Sequence, residues 1–397
     1  MNEPRVWVAG IGMTPFVSPS KGRAYTELAR VAVHEALADA GASIAEVEQV
    51  FAGYVYGDSA SGQCAVYGVG MGGAPIVNVN NNCASGSTAL YLARQAILAG
   101  SADCVLALGF EQMPRGALAE TFLDRPQPLA PFMRVAESRY ERDGAPLAPY
   151  LFGCAARDYA ARYGLKRDTL ARLSVKSRRH AAHNPRAIFC EPLSVETVIE
   201  SPCVFDPLTR LQCCPPTSGA AAAILVSERW IRRRGDARRG VAIAAQAMTT
   251  DREDSFSGDM QSAVGESMTR RASQQAYDLA GIGPEDIALA EVHDCFTINE
   301  LISYEALGLA RAGEAERMVQ DDDNTYGGRI VVNPSGGLLA KGHPLGATGL
   351  AQCYEIVTQL RGNAGNRQVE GANTGLQHNI GLGGACVVTL YEAVRHA

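Results

Sequence analysis

The sequence predicts an α/β fold of two similar halves, with an irregular insertion inside the first half. Strand-like and helix-like segments alternate from the start of the chain, the alternation fades between residues 114 and 216, and a second alternating series then follows. Such alternation is typical of βαβ units, in which helices cover both faces of a parallel sheet. With 397 residues, 47% of them hydrophobic, the chain is long enough to bury a large core.

The first series leads to a cysteine at the start of a helix. Its predicted elements are, in order, a strand at 6–10, a helix at 26–40 and strands at 49–56 and 75–79. Three asparagines at 80–82 then form a tight bend, and a helix rich in Ala, Leu and Gln is predicted from 83 to 98. A strand at 104–109 follows and ends in Glu111. Cys83 is therefore expected at or beside a helix N-terminus.

The second series repeats this order after the insertion. We expect short helices in the insertion, such as 167–183, strands at 220–226 and 241–247, a helix at 261–279 and a strand at 287–292. A strand end at 331–333 precedes a glycine-rich turn, a helix opened by 343–349 that runs to 360, and a last strand pair around 381–391. The recurring strand, small-residue turn and helix indicate an internal duplication. The predicted units are 1–113 with 217–250, the insertion 114–216, and 251–397.

Composition excludes several classes of function. The 36 basic and 42 acidic side chains give a net charge of -6, which argues against nucleic acid as a partner, and basic runs such as 232–234 are expected on solvated helix faces. No apolar run approaches the length of a membrane span. The eleven cysteines are scattered, and the chain shows no initial signal peptide, so we expect reduced thiols. Cys213 and Cys214 lack a second pair or a histidine cluster, so no metal site is predicted.

Three short segments carry reactive side chains, and each follows a predicted strand end. They are residues 80–86 (NNNCASG), 293–296 (HDCF) and 342–344 (GHP). Ligands of open parallel sheets bind beyond the carboxyl ends of the strands, so all three segments are expected to face one crevice. A helix N-terminus lowers a thiol pKa through its dipole and its unpaired N–H groups, so the sequence predicts Cys83 as a thiolate at neutral pH.

These side chains suit nucleophilic attack on a ketone. A thiolate needs a base to form it and donors for the oxyanion that develops, and His343 could supply either role. A second acid or base must protonate the departing carbanion and later deprotonate an incoming thiol, which a thiol such as Cys295 can do. His293 then remains as a donor. A single cysteine or histidine at such a position is often only structural, and it is their joint occurrence at strand ends that points to chemistry.

The chain resembles a known family nearly from end to end. It is similar to the thiolase portion of sterol carrier protein-x, the peroxisomal thiolase type, and to bacterial relatives often labelled lipid-transfer proteins. The strongest blocks are residues 78–83 (NVNNNC), 211–215 (LQCCP), 293–309 and 333–352. The resemblance implies the thiolase fold: two βαβαβαββ halves in a five-layered α/β/α/β/α core, a loop domain that covers the site, and homodimers or dimers of dimers.

The resemblance also implies roles for the site residues. Cys83 would be the nucleophile, His343 would activate it and polarise the thioester oxygen, and Cys295 would be the acid/base. His293 would replace the asparagine with which ordinary thiolases orient an oxyanion-hole water. The backbone N–H groups of Cys83 and Gly381 would form a second oxyanion hole.

Several departures accompany this resemblance. Ordinary thiolases carry a catalytic Cys-x-Gly where this chain has Asn379-Ile380-Gly381, so Cys295 would supply the thiol from another loop, and Cys386 is expected in the core. Ser218 stands where close relatives often have aspartate, a position without an assigned catalytic role. The chain shows neither a sterol-carrier domain nor a peroxisomal tripeptide at its end, so a cytoplasmic location is expected.

The activity expected from the resemblance is thiolysis of 3-oxoacyl-CoA to acyl-CoA and acetyl-CoA or propionyl-CoA, in breakdown of fatty acids, branched chains or steroid side chains. Coenzyme A would be a cosubstrate, with no permanently bound cofactor and no metal. Arg178 and Arg179 could meet the CoA phosphates or form a solvated helix face. The alternatives are a thiolase-like carbon–carbon lyase or condensing enzyme, of a kind that tends to lack the nucleophile, and a lipid-binding or transfer protein. An activity that requires a small acyl-CoA-binding partner protein is a further possibility.

Overall fold

The computed structural model describes residues 5–114, 122, 124–234 and 240–394. The strands are β1 (Val6–Met13), β2 (Gln49–Gly53), β3 (Ile76–Val79), β4 (Cys104–Glu111), β5 (Cys203–Phe205), β6 (Leu208–Thr209), β7 (Gly219–Ser227), β8 (Val241–Thr249), β9 (Leu289–Glu291), β10 (Val331–Val332), β11 (Thr374–Gly381) and β12 (Ala385–Ala393). The helices are α1 (Tyr25–Ala40), α2 (Ser61–Tyr67), α3 (Ser85–Leu98), α4 (Ala130–Glu137), α5 (Leu147–Tyr163), α6 (Arg167–Ala181), α7 (Val195–Ile199), α8 (Glu228–Arg234), α9 (Met260–Ala263), α10 (Glu266–Ala280), α11 (Thr297–Ala306), α12 (Ala315–Gln320), α13 (Gly337–Ala340) and α14 (Thr348–Leu360).

Two five-stranded sheets with the same strand order, joined edge to edge into one ten-stranded sheet, confirm the predicted duplication. Ten of the described strands follow the order β10-β9-β11-β12-β8-β1-β7-β4-β2-β3. The strands of the first half are, along the chain, β1, β2, β3, β4 and β7, and those of the second half are β8 to β12. In both halves their order across the sheet is third, second, fourth, fifth, first. The two sheets meet where β1 pairs antiparallel with β8, through Val6–Ile243, Trp7–Ala242 and Val8–Val241. In both halves the helix between the third and fourth strands, α3 or α14, directly follows a loop of the site.

The sheet is parallel only in part, as the ββ end of each implied βαβαβαββ half requires. The second, third and fourth strands of each half run parallel. The fifth strand pairs antiparallel with the fourth, and the first with the fifth. A parallel connection needs a long crossover, whereas β12 follows β11 through a short turn and must return antiparallel. The end of the fourth strand of each half nevertheless stays at the edge where the site lies.

Three apolar clusters separate the five layers that the resemblance implies. The central cluster joins α3 and α14 to both sheets. One outer cluster packs α1 and α2 on the first sheet, and the other packs α10 and α11 on the second sheet, together with helices of the insertion. Strands β4 and β7 are buried on both faces, and their successive side chains alternate between the outer and the central cluster. This double burial explains their nearly continuous apolar sequences.

Two local predictions need correction. The single helix expected at 261–279 is two helices, α9 and α10, separated at Gly265, whose φ of 112° lies outside the helical range. The last strand pair begins at Thr374, earlier than expected. The described residues of the insertion form α4 to α7 and the small β5–β6 sheet. The boundaries predicted for the three units stay predictions, and residues 1–4, 115–121, 123, 235–239 and 395–397 lie outside the described part.

No helix in the described ranges combines the length and apolar character needed to cross a membrane.

Glu111, at the end of β4, ties two loops together beneath the site. Its buried carboxylate accepts the backbone N–H groups of Val55 at 3.1 Å, Tyr56 at 2.9 Å and Gly346 at 3.0 Å. Burial raises the pKa of Glu111 to about 7 although the three N–H groups act in the opposite direction. The loop that follows His343 is thus held by a carboxyl group that titrates near neutrality.

This raised pKa predicts a pH-dependent component of stability. Because the folded-state pKa lies above the unfolded value of 4.5, the contribution is fully present below that value and is lost as the pH rises through about 7. Glu111→Gln removes the titration, so wild type should lose on the order of 3 kcal/mol more than the variant on going to alkaline pH. Urea unfolding of both proteins across this range measures the difference, and parallel pH profiles would contradict it.

Candidate active site

Cys83 lies in a tight turn immediately before α3, as the sequence predicts. Asn82 adopts a left-handed conformation with φ 50°, which asparagine tolerates better than most residues. Its side-chain amide donates to the carbonyl of Leu382, in the turn between β11 and β12, at 3.1 Å. The Ser85 hydroxyl donates to the Asn82 carbonyl at 2.6 Å and accepts the N–H of Asn81 at 2.9 Å. The turn that carries Cys83 is therefore fixed to both halves.

His343 lies in the matching place before α14, and its hydrogen bonds define its protonation. The hydroxyl of Thr348 donates to the carbonyl of Pro344 at 2.9 Å, so it accepts from Nδ1 of His343 at 2.7 Å. A neutral His343 then carries its proton on Nδ1 and a lone pair on Nε2. Nε2 is buried and has no hydrogen-bond partner among the described residues. This nitrogen is available to accept a proton from a reacting group.

His293, just after β9, has the opposite tautomer. The side-chain amide of Asn379, on β11, donates to Nδ1 of His293 at 2.8 Å. Nδ1 is therefore the lone-pair nitrogen, and Nε2 carries the proton of the neutral ring. The His293 loop is anchored below by Asp294, whose carboxylate accepts the N–H groups of Leu338 at 2.7 Å and Leu339 at 3.3 Å.

The three side chains converge. One ring nitrogen of His293, one of His343 and the Cys83 sulfur all lie within 4.8 Å of one another. The two rings meet edge to face, with centroids 5.1 Å apart and an interplanar angle of 82°. These distances would suit a metal, but Nδ1 of His293 is engaged by Asn379, and the remaining nitrogen, Nε2, carries the proton of the neutral ring. The arrangement instead offers a nucleophile, a base and a hydrogen-bond donor within one small volume.

The expected thiolate at Cys83 is not the resting state. Burial, and after it the carboxylate of Glu111, raises the pKa of Cys83 to about 12. Burial lowers the pKa of His343 to about 3 and holds that of His293 well below its usual range. The site therefore starts with a neutral thiol and neutral imidazoles. The side chain of Cys83 is half-buried, and this burial outweighs the local helix-end effect inferred from the sequence. A neutral Cys83 needs a base before it can act as a nucleophile.

Cys295 is buried two residues beyond His293, and a cysteine without a predicted role in the site lies beside it. The N–H of Cys214 donates to the carbonyl of Cys295 at 2.9 Å, and a single bridge pairs Cys213 with Phe296. Burial, then the thiols of Cys214 and Cys83, hold the pKa of Cys295 well above its usual value. Cys295 is thus protonated and close to Cys83.

The segment 213–216 joins the two histidine loops. Besides the contacts of Cys213 and Cys214, Pro216 forms a bridge with His343. The sequence signal for this segment is the pair of adjacent cysteines in the run LQCCP, which without a second pair or a histidine cluster predicts no metal site. The structural role of the segment is to hold the 293–296 loop and the 342–344 loop at a fixed separation.

Gly381 lies against the Cys83 turn, where the predicted second oxyanion hole requires it. A Cβ atom added to Gly381 would lie 2.0 Å from the carbonyl oxygen of Asn81 and 3.1 Å from the nitrogen of Ala84. Such overlap forces backbone movement. Only glycine fits between β11 and this turn.

Gly381→Ala should therefore displace Cys83 and slow, at least about 10-fold, the acylation of Cys83 that the resemblance implies, with a loss of about 1–3 kcal/mol in stability. Gly68→Ala is a matched control, because its nearest contact would be an ordinary 3.5 Å from the Ala65 carbonyl. Quenched-flow acylation assays and thermal unfolding measure both effects. Normal acylation in Gly381→Ala would show that the turn can move without consequence.

The remaining predicted residues lie as follows. Arg178 stacks over Phe189 at 4.3 Å, and the Phe189 N–H donates to the carbonyl of Ala340, close to the His343 loop. Arg179 is exposed and donates to Thr325 at 2.9 Å. Their contact with CoA stays a prediction. Cys386 is fully buried and faces Thr269 on α10, at 3.6 Å, as expected of a core residue.

The fold and the site together define a duplicated α/β protein whose cysteine and histidine loops face each other between the two halves. The chain belongs to the thiolase family. The model described as "Thiolase, N-terminal domain" matches residues 6–229, and "Thiolase C-terminal domain-like" matches residues 250–391. Members of this family are acyltransferases.

A curated relative and two solved structures illustrate the similarity. Sterol carrier protein 2 of Oryctolagus cuniculus is 50% identical over 393 residues, covering 98% of this chain and 72% of that protein. An "Ltp2-ChsH2(DUF35) aldolase" structure has a TM-score of 0.82 at 25% identity, with 98% of each chain covered. Human mitochondrial 3-ketoacyl-CoA thiolase in complex with CoA has a TM-score of 0.73 at 20% identity, again with 98% of each chain covered.

Proposed function

We propose that this protein is a thiolase that cleaves 3-oxoacyl-CoA with coenzyme A, through an acyl thioester on Cys83. The observation that carries the proposal is the convergence of the Cys83 sulfur with one ring nitrogen of His343 and one of His293, all within 4.8 Å of one another. Nδ1 of each ring is engaged by Thr348 or Asn379, so we assign the lone pair of Nε2 of His343 and the N–H of Nε2 of His293 to the site. Cys295 adds a second, protonated thiol nearby. This set contains one group for each proton movement that thiolysis requires.

The first half-reaction begins with a neutral pair. The Cys83 thiol passes its proton to Nε2 of His343 as the sulfur attacks the 3-oxo carbon, and the resulting oxyanion lies between the backbone N–H groups of Cys83 and Gly381. The bond between carbons 2 and 3 then breaks, which leaves the acyl group on Cys83 and the electron pair on carbon 2. The enolate oxygen of the departing thioester accepts from the N–H groups of His343 and His293, and Cys295 protonates carbon 2.

The second half-reaction restores the enzyme. Cys295, now a thiolate, takes the proton from the thiol of an incoming CoA. The CoA sulfur attacks the acyl group, and the Cys83 thiolate that leaves recovers its proton from His343. Acyl-CoA is released and both thiols are neutral again. No metal or redox cofactor takes part in this scheme.

The aldolase similarity favours one alternative, a carbon–carbon lyase that works with a partner protein, since the name Ltp2-ChsH2 joins two components. Such an enzyme would need no acyl thioester on Cys83, whereas this chain places Cys83 opposite a base. The name of the 50% identical relative suggests sterol binding as another alternative. A homodimeric, cytoplasmic protein with CoA held near Arg178 and Arg179 completes the proposal.

The test measures the CoA-dependent consumption of straight-chain, 2-methyl and steroid-tailed 3-oxoacyl-CoA substrates. Mass spectrometry of the protein after quenching detects any acyl group on Cys83. Turnover together with acylation of Cys83 supports a thiolase and ranks its substrates. Carbon–carbon cleavage without acyl-enzyme would favour the lyase, and tight sterol binding without CoA-dependent chemistry would favour the lipid-binding alternative.

A further inference from the structure

A chain of buried hydrogen bonds leads from β12 to His293 across both halves of the protein. It runs from Tyr391 through Gln377 and Ser87 to Asn379 and His293. The side chains of Gln377, Ser87 and Asn379 are fully buried, so water does not compete for these groups. Ser87 belongs to α3 of the first half, in the helical turn that follows Cys83, while Gln377 and Asn379 belong to β11 of the second half.

The direction of every bond follows from one backbone carbonyl. The side-chain nitrogen of Gln377 donates to the carbonyl of Gly349 at 2.8 Å, and a carbonyl can only accept. This fixes the orientation of the amide, so its nitrogen also donates to the Ser87 hydroxyl at 2.8 Å and its oxygen accepts from Tyr391. The amide of Gln377 therefore has no freedom to reverse.

The orientation of the Gln377 amide also determines the direction of the hydrogen bonds of Ser87. Because its oxygen accepts from Gln377, its single proton goes to the side-chain oxygen of Asn379, at 2.8 Å. The amide nitrogen of Asn379 must then face His293, where it donates to Nδ1 at 2.8 Å. A ring nitrogen that accepts a hydrogen bond cannot carry a proton, so the proton of a neutral His293 lies on Nε2.

We propose that Asn379 is a positioning residue that fixes the tautomer of His293, so that Nε2 presents an N–H to the substrate. Asn379 occupies the place where ordinary thiolases carry the cysteine of Cys-x-Gly. In this chain the position serves the histidine that stabilises the enolate oxygen. The inference rests on the proposed thiolase function for its catalytic consequence, but the tautomer itself does not depend on that function.

The fixed tautomer also separates the tasks of the two histidines. His343 offers a lone pair to the Cys83 thiol, and His293 offers a proton to an oxyanion. If both rings offered lone pairs, the three side chains would form a Cys-His-His ligand set of the kind that binds Zn²⁺. Asn379 thereby keeps an N–H donor in the site in place of a further lone pair that could bind a metal.

Asn379→Asp tests the proposal, because a carboxylate accepts where the amide donates. Asn379→Asp should move the proton of His293 onto Nδ1. 15N NMR of the ring nitrogens detects this change without any substrate, and the signal of His293 is identified by its loss in His293→Gln. In wild type, Nδ1 should be unprotonated. With a 3-oxoacyl-CoA substrate, the kcat of Asn379→Asp should fall at least about 100-fold, as on loss of an oxyanion donor, while KM changes little.

The same variant should gain affinity for Co²⁺. With lone pairs on both histidines, Asn379→Asp should bind Co²⁺ about 10- to 100-fold more tightly than wild type and show a thiolate charge-transfer band. Equal Co²⁺ affinity of the two proteins would contradict a role of Asn379 in the tautomer.

Two further variants separate positioning from general packing. Ser87→Ala frees the Asn379 amide to reverse, so it should produce a mixture of tautomers and an intermediate loss of kcat. Thr269→Val removes the hydroxyl that contacts His378 at 2.9 Å on the other side of β11, and it should leave the His293 tautomer unchanged. A protonated Nδ1 in wild type would overturn the inference. If wild type shows the expected tautomer but no thiolysis, the inference about Asn379 is supported and the proposed function is refuted.

Discussion

Replacing Cys83 with alanine is expected to abolish the acyl-enzyme and to reduce CoA-dependent cleavage of 3-oxoacyl-CoA by at least about 10⁴-fold, as on removal of other enzymic nucleophiles. The sulfur lies within 4.8 Å of one ring nitrogen of each histidine, whereas burial keeps the neighbouring Cys295 thiol protonated. Incubation with substrate, acid quenching and intact-protein mass spectrometry measure the adduct.

The control for Cys83→Ala is Cys203→Ala. Cys203 is an exposed thiol on β5, so its loss should change neither adduct nor turnover. Full thiolysis by Cys83→Ala would refute the mechanism altogether. Loss of turnover with an adduct still present elsewhere would instead move the nucleophile to another thiol.

Replacing Cys295 with alanine is the second large expected effect. The variant should lose the group that protonates carbon 2, so kcat should fall about 10²- to 10⁴-fold. The exchange of deuterium from solvent into carbon 2 of acetyl-CoA, which reports this proton transfer alone, should be lost in parallel. Acylation of Cys83 should still be detectable after long incubation, because the nucleophile and His343 remain.

Cys386→Ala distinguishes the two thiols that could serve as acid. Cys386 is buried against Thr269 on the outer side of β12, so its replacement should alter stability but not deuterium exchange. Normal exchange in Cys295→Ala together with lost exchange in Cys386→Ala would reverse the assignment.

The parts of the fold that depend on local pattern could be predicted from the sequence. The alternating apolar runs indicated β1, β4, β7 and α1 to within a few residues, and the recurring order of segments indicated the duplication. The antiparallel directions of β7 and β8 could not be predicted, because strand direction depends on where a distant segment returns to the sheet. The break at Gly265 was missed because the apolar pattern continues across it.

The convergence of the candidate residues was predictable from the sequence, but their protonation was not. Strand ends and small residues indicated Cys83, His293, Cys295 and His343. The high pKa of the Cys83 thiol depends on burial, which is a property of the assembled layers. The roles of Asn379 and Ser87 depend on a hydrogen bond between residues 292 positions apart, for which no local pattern exists.

The identical strand order of the two halves has a consequence for how such a site can arise. Cys83 and His343 lie in corresponding loops, two residues before α3 and five residues before α14, the helices that precede the fourth strand of each half. An ancestral unit paired with its own copy would have placed two identical loops face to face about a twofold axis. After fusion into one chain, the two loops could change independently, so that one came to carry a cysteine and the other a histidine. The candidate site lies between residues of the two halves, in a space that neither half encloses alone.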